Sequence, residues 1–208
     1  KGPAAVPNVP VPSAVPQLEG LCSFLQLSTC PEQLLVRFCS WLLALTPDLS
    51  YASAAVLAER LFLKRVLSLT QPPSRHLMAA LTSFCSKYSQ PFCQVLVAPV
   101  LREPGEGAEQ TKLLCELVEE CLEPDYVRLV LSQVLEVPLS ERLLPVVLAV
   151  LGRQQSSPLP FLSQEALPPE LFDLLVLTLC RQAPAFATSL SYAKLVTAVL
   201  TMYQSHVS

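Results

Sequence analysis

Eight cysteines, two histidines and a group of four glutamates are the side chains of this 208-residue chain that could do chemistry. The cysteines could bind zinc, form disulfides or supply a nucleophile. Zinc sites draw their ligands in close pairs, and the sequence has no Cys-x-x-Cys; its nearest pair, Cys115 and Cys121, is too widely spaced. His76 and His206 lie far from any matching cysteine pair. No metal and no cofactor is expected. Cysteine catalysis needs a thiolate beside a base, and two histidines so placed offer no Cys–His pair. Cys22, Cys39, Cys85, Cys115, Cys121 and Cys180 lie instead in leucine-rich, helix-patterned segments. That setting predicts small buried thiols in a reducing, intracellular compartment.

Glu116, Glu119, Glu120 and Glu123 fall opposite an apolar helical face. General acid catalysis needs a shielded carboxyl with a raised pKa, which a solvated face does not provide. These four carboxylates predict solubility or an acidic contact with a partner. Gly105-Glu106-Gly107 lacks both a preceding strand and a following Gly-Lys-Ser/Thr, so nothing there cradles a phosphate. The expectation is a chain with no catalytic residues, and no enzyme.

Composition narrows the remaining classes. The chain is 51% apolar and 15% charged, with a net charge of −3 and a mean hydropathy of +0.45. No basic cluster exceeds Lys64-Arg65, so the stripe that displaces counterions from nucleic-acid phosphates is missing. Apolar runs such as Leu143–Leu151 and Leu174–Leu177 fall well short of the roughly 18 residues of a membrane span. Membrane docking would also want Lys or Arg beside an apolar face, and that pairing is scarce. Lys1 is followed by valine, proline and alanine rather than a continuous apolar stretch, so no signal peptide is expected. The excess apolar surface is expected to meet other proteins, as in a subunit of an assembly.

The elements that would position these residues are all helical. Residues 1–16 alternate proline with valine and small residues, which predicts a linker or an extended segment held by a partner. Residues 17–208 carry the helical period. Helices are expected over Gln17–Leu27, Pro31–Leu45, Tyr51–Leu69, Arg75–Tyr88 and Pro91–Leu101. Further ones follow over Glu109–Leu122, Tyr126–Val137, Ser140–Gly152, Pro169–Gln182 and from Ser189 to about His206. Thr29 or Cys30, Asp48 or Ser50, Ser74, and Thr188 or Ser189 offer caps. Pro145 should kink its helix or mark its true start. Arg102–Gly107 reads as a loop and Arg153–Pro169 as an exposed connector.

In the second helix Leu34, Leu35, Phe38, Trp41, Leu42 and Leu45 form one broad apolar stripe, which predicts a helix buried nearly all round. Trp41 is then either a core ring or an interface anchor. In the third, Tyr51, Ala54, Ala55, Ala58, Leu61 and Phe62 are expected to face in. Leu49-Ser50-Tyr51-Ala52 recurs as Leu190-Ser191-Tyr192-Ala193, and at the same offset Leu34 matches Leu175, Cys39 matches Cys180 and Ala44 matches Ala185. A returning unit of two helices is the mark of stacked helical hairpins. The expected fold is all-α, with about ten antiparallel helices stacked as hairpins.

Several blocks in order resemble the C-terminal domain of the Fanconi anaemia group E family. They are Trp41–Ser50 (WLLALTPDLS), Phe62–Thr70 (FLKRVLSLT), Ala80–Tyr88 (ALTSFCSKY), Gln110–Cys115 (QTKLLC), Leu122–Asp125 (LEPD) and Tyr192–Leu195 (YAKL). The resemblance implies a HEAT-like right-handed solenoid. It implies a non-catalytic adaptor in a nuclear ubiquitin ligase complex that responds to DNA interstrand crosslinks. Its partners would be the group C and group F proteins, the ligase core and the substrate pair of D-two and I group proteins, with no direct nucleic-acid contact. Residues 1–16 match nothing in that family. The Arg153–Pro169 connector looks longer than the family's, Pro145 departs from its pattern, and the family continues past Ser208. A stand-alone helical module for membranes or small apolar ligands is the alternative. Leu34, Phe38, Trp41 and Leu45, with the four glutamates, are the candidate partner contacts.

Overall fold

Serine hydroxyls and prolines set most of the helix starts. Ser50, Ser74 and Ser189 each accept a hydrogen bond from the backbone N–H three residues on, at 3.2, 3.1 and 2.9 Å. Each thereby satisfies one of the donors that a helix start leaves unpaired. Pro124 and Pro169 stand at the first helical position, where their missing N–H costs nothing. The computed structural model describes residues 15–45, 48–103, 107–155 and 167–207. Among these residues there are ten helices and no strand.

In chain order they are α1 Val15–Phe24, α2 Glu32–Leu45 and α3, which runs Tyr51–Ala58, Glu59–Leu63, Lys64–Leu67 without a break. Next come α4 Arg75–Lys87 and α5, which runs Ser89–Phe92, Cys93–Val97, Ala98–Arg102. Then follow α6 Ala108–Glu120, α7 Pro124–Leu135, α8 Leu144–Gln155, α9 Pro169–Gln182 and α10 Leu190–Val207. The middle turns of α3 and α5 are wider π turns, and they pack against each other.

Boundaries differ from expectation at a few points. Helix α1 starts at Val15, so Val15 and Pro16 are helical, with Pro16 in the first turn; residues 1–14 lie outside the described residues. Pro31 precedes α2 and its carbonyl accepts from Leu35 at 3.0 Å, which makes Pro31 itself the cap. Pro145 marks a start rather than a kink, one residue inside α8. The connector is shorter than expected because α8 continues to Gln155, and residues 156–166 lie outside the described residues, as do 104–106 of the Arg102–Gly107 loop.

Most helices lean on the helix two places along. The pairs α1–α3, α2–α4, α3–α5, α5–α7, α6–α8, α7–α9 and α8–α10 all touch. Polar contacts at the helix ends show that such pairs run parallel. The Ser74 hydroxyl at the start of α4 donates to the Glu32 carboxylate at the start of α2. Lys87 at the far end of α4 donates to the Leu43 carbonyl near the end of α2, at 3.2 Å. The Ser189 hydroxyl before α10 donates to Glu141 before α8, at 2.6 Å. This is the order a stack of hairpins requires, and it is compatible with the expected HEAT-like solenoid.

The centre of the first half is aromatic. Phe62, Phe84 and Phe92, from α3, α4 and α5, meet with ring centroids 5.4, 6.1 and 6.4 Å apart. Tyr88 stacks at a tilt on Phe84, and its hydroxyl accepts from the Leu49 N–H at 3.3 Å. Buried Gln110 is satisfied by the carbonyls of Leu67 and Leu69, at 3.2 and 2.9 Å, and so fastens α6 to the end of α3.

One cation holds the first turn together. The Arg65 guanidinium donates to the carbonyls of Leu27 at 3.2 Å, Cys30, and Leu61 at 3.1 Å. It thereby ties the α1–α2 connection to α3. Arg65→Met should lower stability by about 2–3 kcal/mol, because three partly buried carbonyls lose a charged donor. The urea midpoint should fall with an unchanged slope; an unchanged midpoint would contradict that role.

Candidate protein-binding faces

The broad stripe of α2 resolves into two rows. Leu35, Cys39 and Leu42, spaced i, i+4, i+7, are buried. Leu34, Phe38 and Trp41 keep the same spacing one residue earlier, which turns them about 100° around the helix. This second row is open: Leu34 is 54% and Trp41 62% exposed, and Phe38 is half-buried. The expectation of a helix buried nearly all round is therefore wrong, and so is Trp41 as a core ring. The physical reason is the packing rule. Helix α4 covers one row, while α1 packs on α3 and leaves the other uncovered. The side chain of Leu45 lies outside the described residues. Tyr51 is likewise half exposed rather than facing in, and Ala55 is half-buried. Together with Leu21 and Phe24 on α1 and Leu25 just after it, these residues leave the first helices rich in exposed apolar side chains.

The acidic group also divides. Glu116, Glu119 and Glu120 are exposed on α6, while Glu123 is exposed outside it, in the cap position before α7. Opposite them Leu113, Leu114, Leu117 and Val118 are buried as expected, and Cys121 is half-buried. Glu116 and Glu119 border a shallow cleft with Lys112, Cys115, Arg142 and Pro145, where cations and carboxylates alternate.

The thiols sit where their charged form is disfavoured. Burial pushes Cys39 and Cys93 up to about 12 and Cys115 up to about 11, the last helped by the charges of Glu119 and Glu116. Burial raises Cys85 further still. A nucleophilic thiol needs the opposite shift, from a cation or a helix N-terminus. Cys180 departs from the expected burial and is exposed on α9. His76 is exposed in the first turn of α4, and the side chain of His206 lies outside the described residues. Among the described residues no three of His, Cys, Asp and Glu come together to hold a metal.

One feature was missed from sequence. Helices α9 and α10 enclose an open apolar groove of about 580 Å³, walled by Phe172, Val176 and Cys180 on one side and Tyr192, Val199 and Tyr203 on the other. The Tyr192 hydroxyl donates to the Leu179 carbonyl at 2.7 Å, and its ring stacks on Phe186 at 5.2 Å, which fixes the two helices against each other. The recurrence of the α2–α3 unit in α9–α10 was the signal available for it.

An all-helical chain with uncovered apolar rows on α2 and between α9 and α10 is compatible with a helical-repeat scaffold. The comparisons give its family. The family model of the Fanconi anaemia group E protein matches residues 10–208, and the chain belongs to that family. Residues 10–16 thus fall inside the match, contrary to the expectation that 1–16 lie wholly outside it. The human Fanconi anemia group E protein is 46% identical over 193 residues, which is 92% of this chain. The chain spans only about a third of that relative's length, 34%.

The buried thiols make stability depend on pH in a defined sense. In the unfolded chain they ionise near 9.0, whereas Cys39 and Cys93 in the folded chain hold their protons to about 12. Their contribution is fully present below pH 9 and is lost as pH rises through that interval, because the unfolded chain then binds fewer protons. The urea midpoint should fall between pH 8 and pH 11, and native thiolate absorbance should lag that of the unfolded chain. Coincident thiolate titrations of the two states would contradict this.

Proposed function

We propose that this chain is a non-catalytic adaptor in a nuclear ubiquitin ligase complex that acts in the repair of DNA interstrand crosslinks. In this reading it joins the Fanconi anaemia group C and group F proteins into a module. That module presents the D-two group protein, paired with the I group protein, for monoubiquitination. The family supports the pathway. The observation that carries the mechanism is the open row Leu34, Phe38 and Trp41, an aromatic-rich strip on a helix otherwise anchored in the core. Large rings held on a rigid element bind well because little side-chain freedom is lost on contact. The net charge of −3 favours protein over nucleic acid as partner. The acidic edge Glu116, Glu119, Glu120 and Glu123 suits a rim contact with a basic surface.

The apolar groove favours a second reading, a module for small apolar ligands. Among the described residues no helix is long and apolar enough to cross a membrane. Stoichiometric recovery of a lipid with the purified chain would support this alternative.

The adaptor is tested by replacing the open row. The double variant Leu34→Ala, Trp41→Ala should hold stability within about 1 kcal/mol, since both side chains are largely exposed. Affinity for the group C or group F protein should fall about thirtyfold, equivalent to about 2 kcal/mol. Ubiquitination of the substrate in a reconstituted reaction should slow, while the ligase subunit keeps its basal activity. Unchanged affinity for both partners would overturn the assignment of this face.

A further inference from the structure

We infer that the groove along α3, beside the α1–α2 connection, is a docking site for an acidic amphipathic segment of another polypeptide. The groove has a volume of about 520 Å³. Leu63 and Leu67, both half-buried, give it an apolar lining, and exposed Arg60 and Lys64 give it charge. Ser28 contributes from the α1–α2 connection. None of Leu34, Phe38 and Trp41 lines it, so the site stands whatever the open row of α2 meets.

Its two cations are unspent. Elsewhere Arg65 and Arg142 donate to backbone carbonyls, and Lys112 and Arg128 pair with carboxylates on their own helices. Arg60 and Lys64 have no hydrogen-bond or ion-pair partner among the described residues. They lie four apart on α3, where like charges repel. Glu59 is the one carboxylate at the groove, so two cations face one anion in a chain whose net charge is −3. A ligand that neutralises the pair relieves a repulsion as well as gaining contacts.

The walls are already fixed. Arg65 donates to the carbonyls of Leu27 and Cys30, on either side of Ser28, and so binds that connection to α3. Glu59, Arg60 and Leu63 belong to the π turn of α3, which packs against the π turn of α5. Such turns recur at functional sites. A groove held in this way loses little freedom when it is filled.

Its chemistry selects the occupant. The apolar lining and the volume suit several side chains rather than a bare anion. Nucleic acid asks for a basic stripe, which two cations beside a carboxylate do not make. A peptide with carboxylates around an apolar side chain matches both the charge and the lining. No segment outside the described residues supplies that pair of carboxylates: 104–106 holds only Glu106, 156–166 only Glu165, and 1–14 none. Two copies of a chain of net charge −3 repel each other. The occupant is therefore a different polypeptide.

The test is selection of a random peptide display library on the 208-residue chain, with the Arg60→Glu, Lys64→Glu variant as the parallel bait. Both residues are exposed, so the variant should keep the urea midpoint of the parent. Arg60→Gln with Lys64→Gln repeats the comparison with charge removed rather than reversed. Peptides enriched about tenfold on the parent over either variant should carry carboxylates around a leucine-sized side chain. A synthetic peptide of the commonest sequence should shift the methyl resonances of Leu63 and Leu67 but not those of Leu34. Its affinity should weaken as salt rises and fall about tenfold in the glutamine variant. Its lysine counterpart should bind the charge-reversed chain. Equal recovery on parent and variants, enriched peptides without carboxylates, or methyl shifts confined to α9 and α10 would overturn the inference. So would single-stranded DNA binding this groove more tightly than the peptide, or dimerisation of the chain that the two variants abolish.

Discussion

Helices such as α2 carry apolar residues on more than one row, and their neighbours in sequence do not cover them all. The remaining row must be closed by the helix two places along. Most other features follow from that constraint. It places the Phe62, Phe84 and Phe92 cluster where three successive helices meet, and it makes helices two places apart run parallel, as Glu32, Ser74, Leu43 and Lys87 record. It also leaves apolar faces open among the described residues, the Leu34, Phe38 and Trp41 row on α2 and the groove between α9 and α10. Apolar surface left on such faces is available for contact without any rearrangement of the core.

The same packing explains why so many cysteines lack chemistry of their own. A thiol pressed into an apolar interface cannot ionise cheaply, so Cys39, Cys85 and Cys93 serve as small packing groups that let helices approach. Of the four buried polar residues, Ser89, Gln110 and Thr111 spend side-chain hydrogen bonds on backbone carbonyls. Catalysis needs titratable groups held together in a shielded place. In this chain the carboxylates Glu116, Glu119 and Glu120 lie in solvent, while Cys22, Cys39, Cys85 and Cys93 are buried. The described surface carries an open aromatic row on α2, an apolar groove between α9 and α10 and an acidic edge on α6.

Much of the architecture was legible in the residues themselves. Ser74 and Pro169 mark two helix starts outright, and Ser50 and Ser189 two more as one of two candidate caps each, because capping depends only on neighbours in sequence. The buried side of α6 could be read from Leu113, Leu114, Leu117 and Val118 for the same reason. Burial that depends on a third helix could not be read this way. The stripe on α2 contained both rows, and periodicity gives the angle of a side chain around its axis but not which angle meets a neighbour. Periodicity therefore puts Tyr51 inside, where the structure has it half exposed, leaves Trp41 open between core ring and interface anchor, and groups Cys180 with the buried thiols although it is exposed. The repeat held the missing information: set beside Leu34 and Cys39, Leu175 and Cys180 show burial exchanged between the two copies.

The central claim is that the Leu34, Phe38 and Trp41 row is a docking face, and Trp41 is the sole tryptophan of the chain. Fluorine NMR of the chain labelled with fluorotryptophan observes that one ring, whatever tryptophans the partners carry. In the free chain the resonance should show the full solvent isotope shift of an exposed indole. In the assembled complex with the group C and group F proteins that shift should collapse. A resonance already shielded from solvent in the free chain, or one still open to solvent in the assembled complex, would contradict the account.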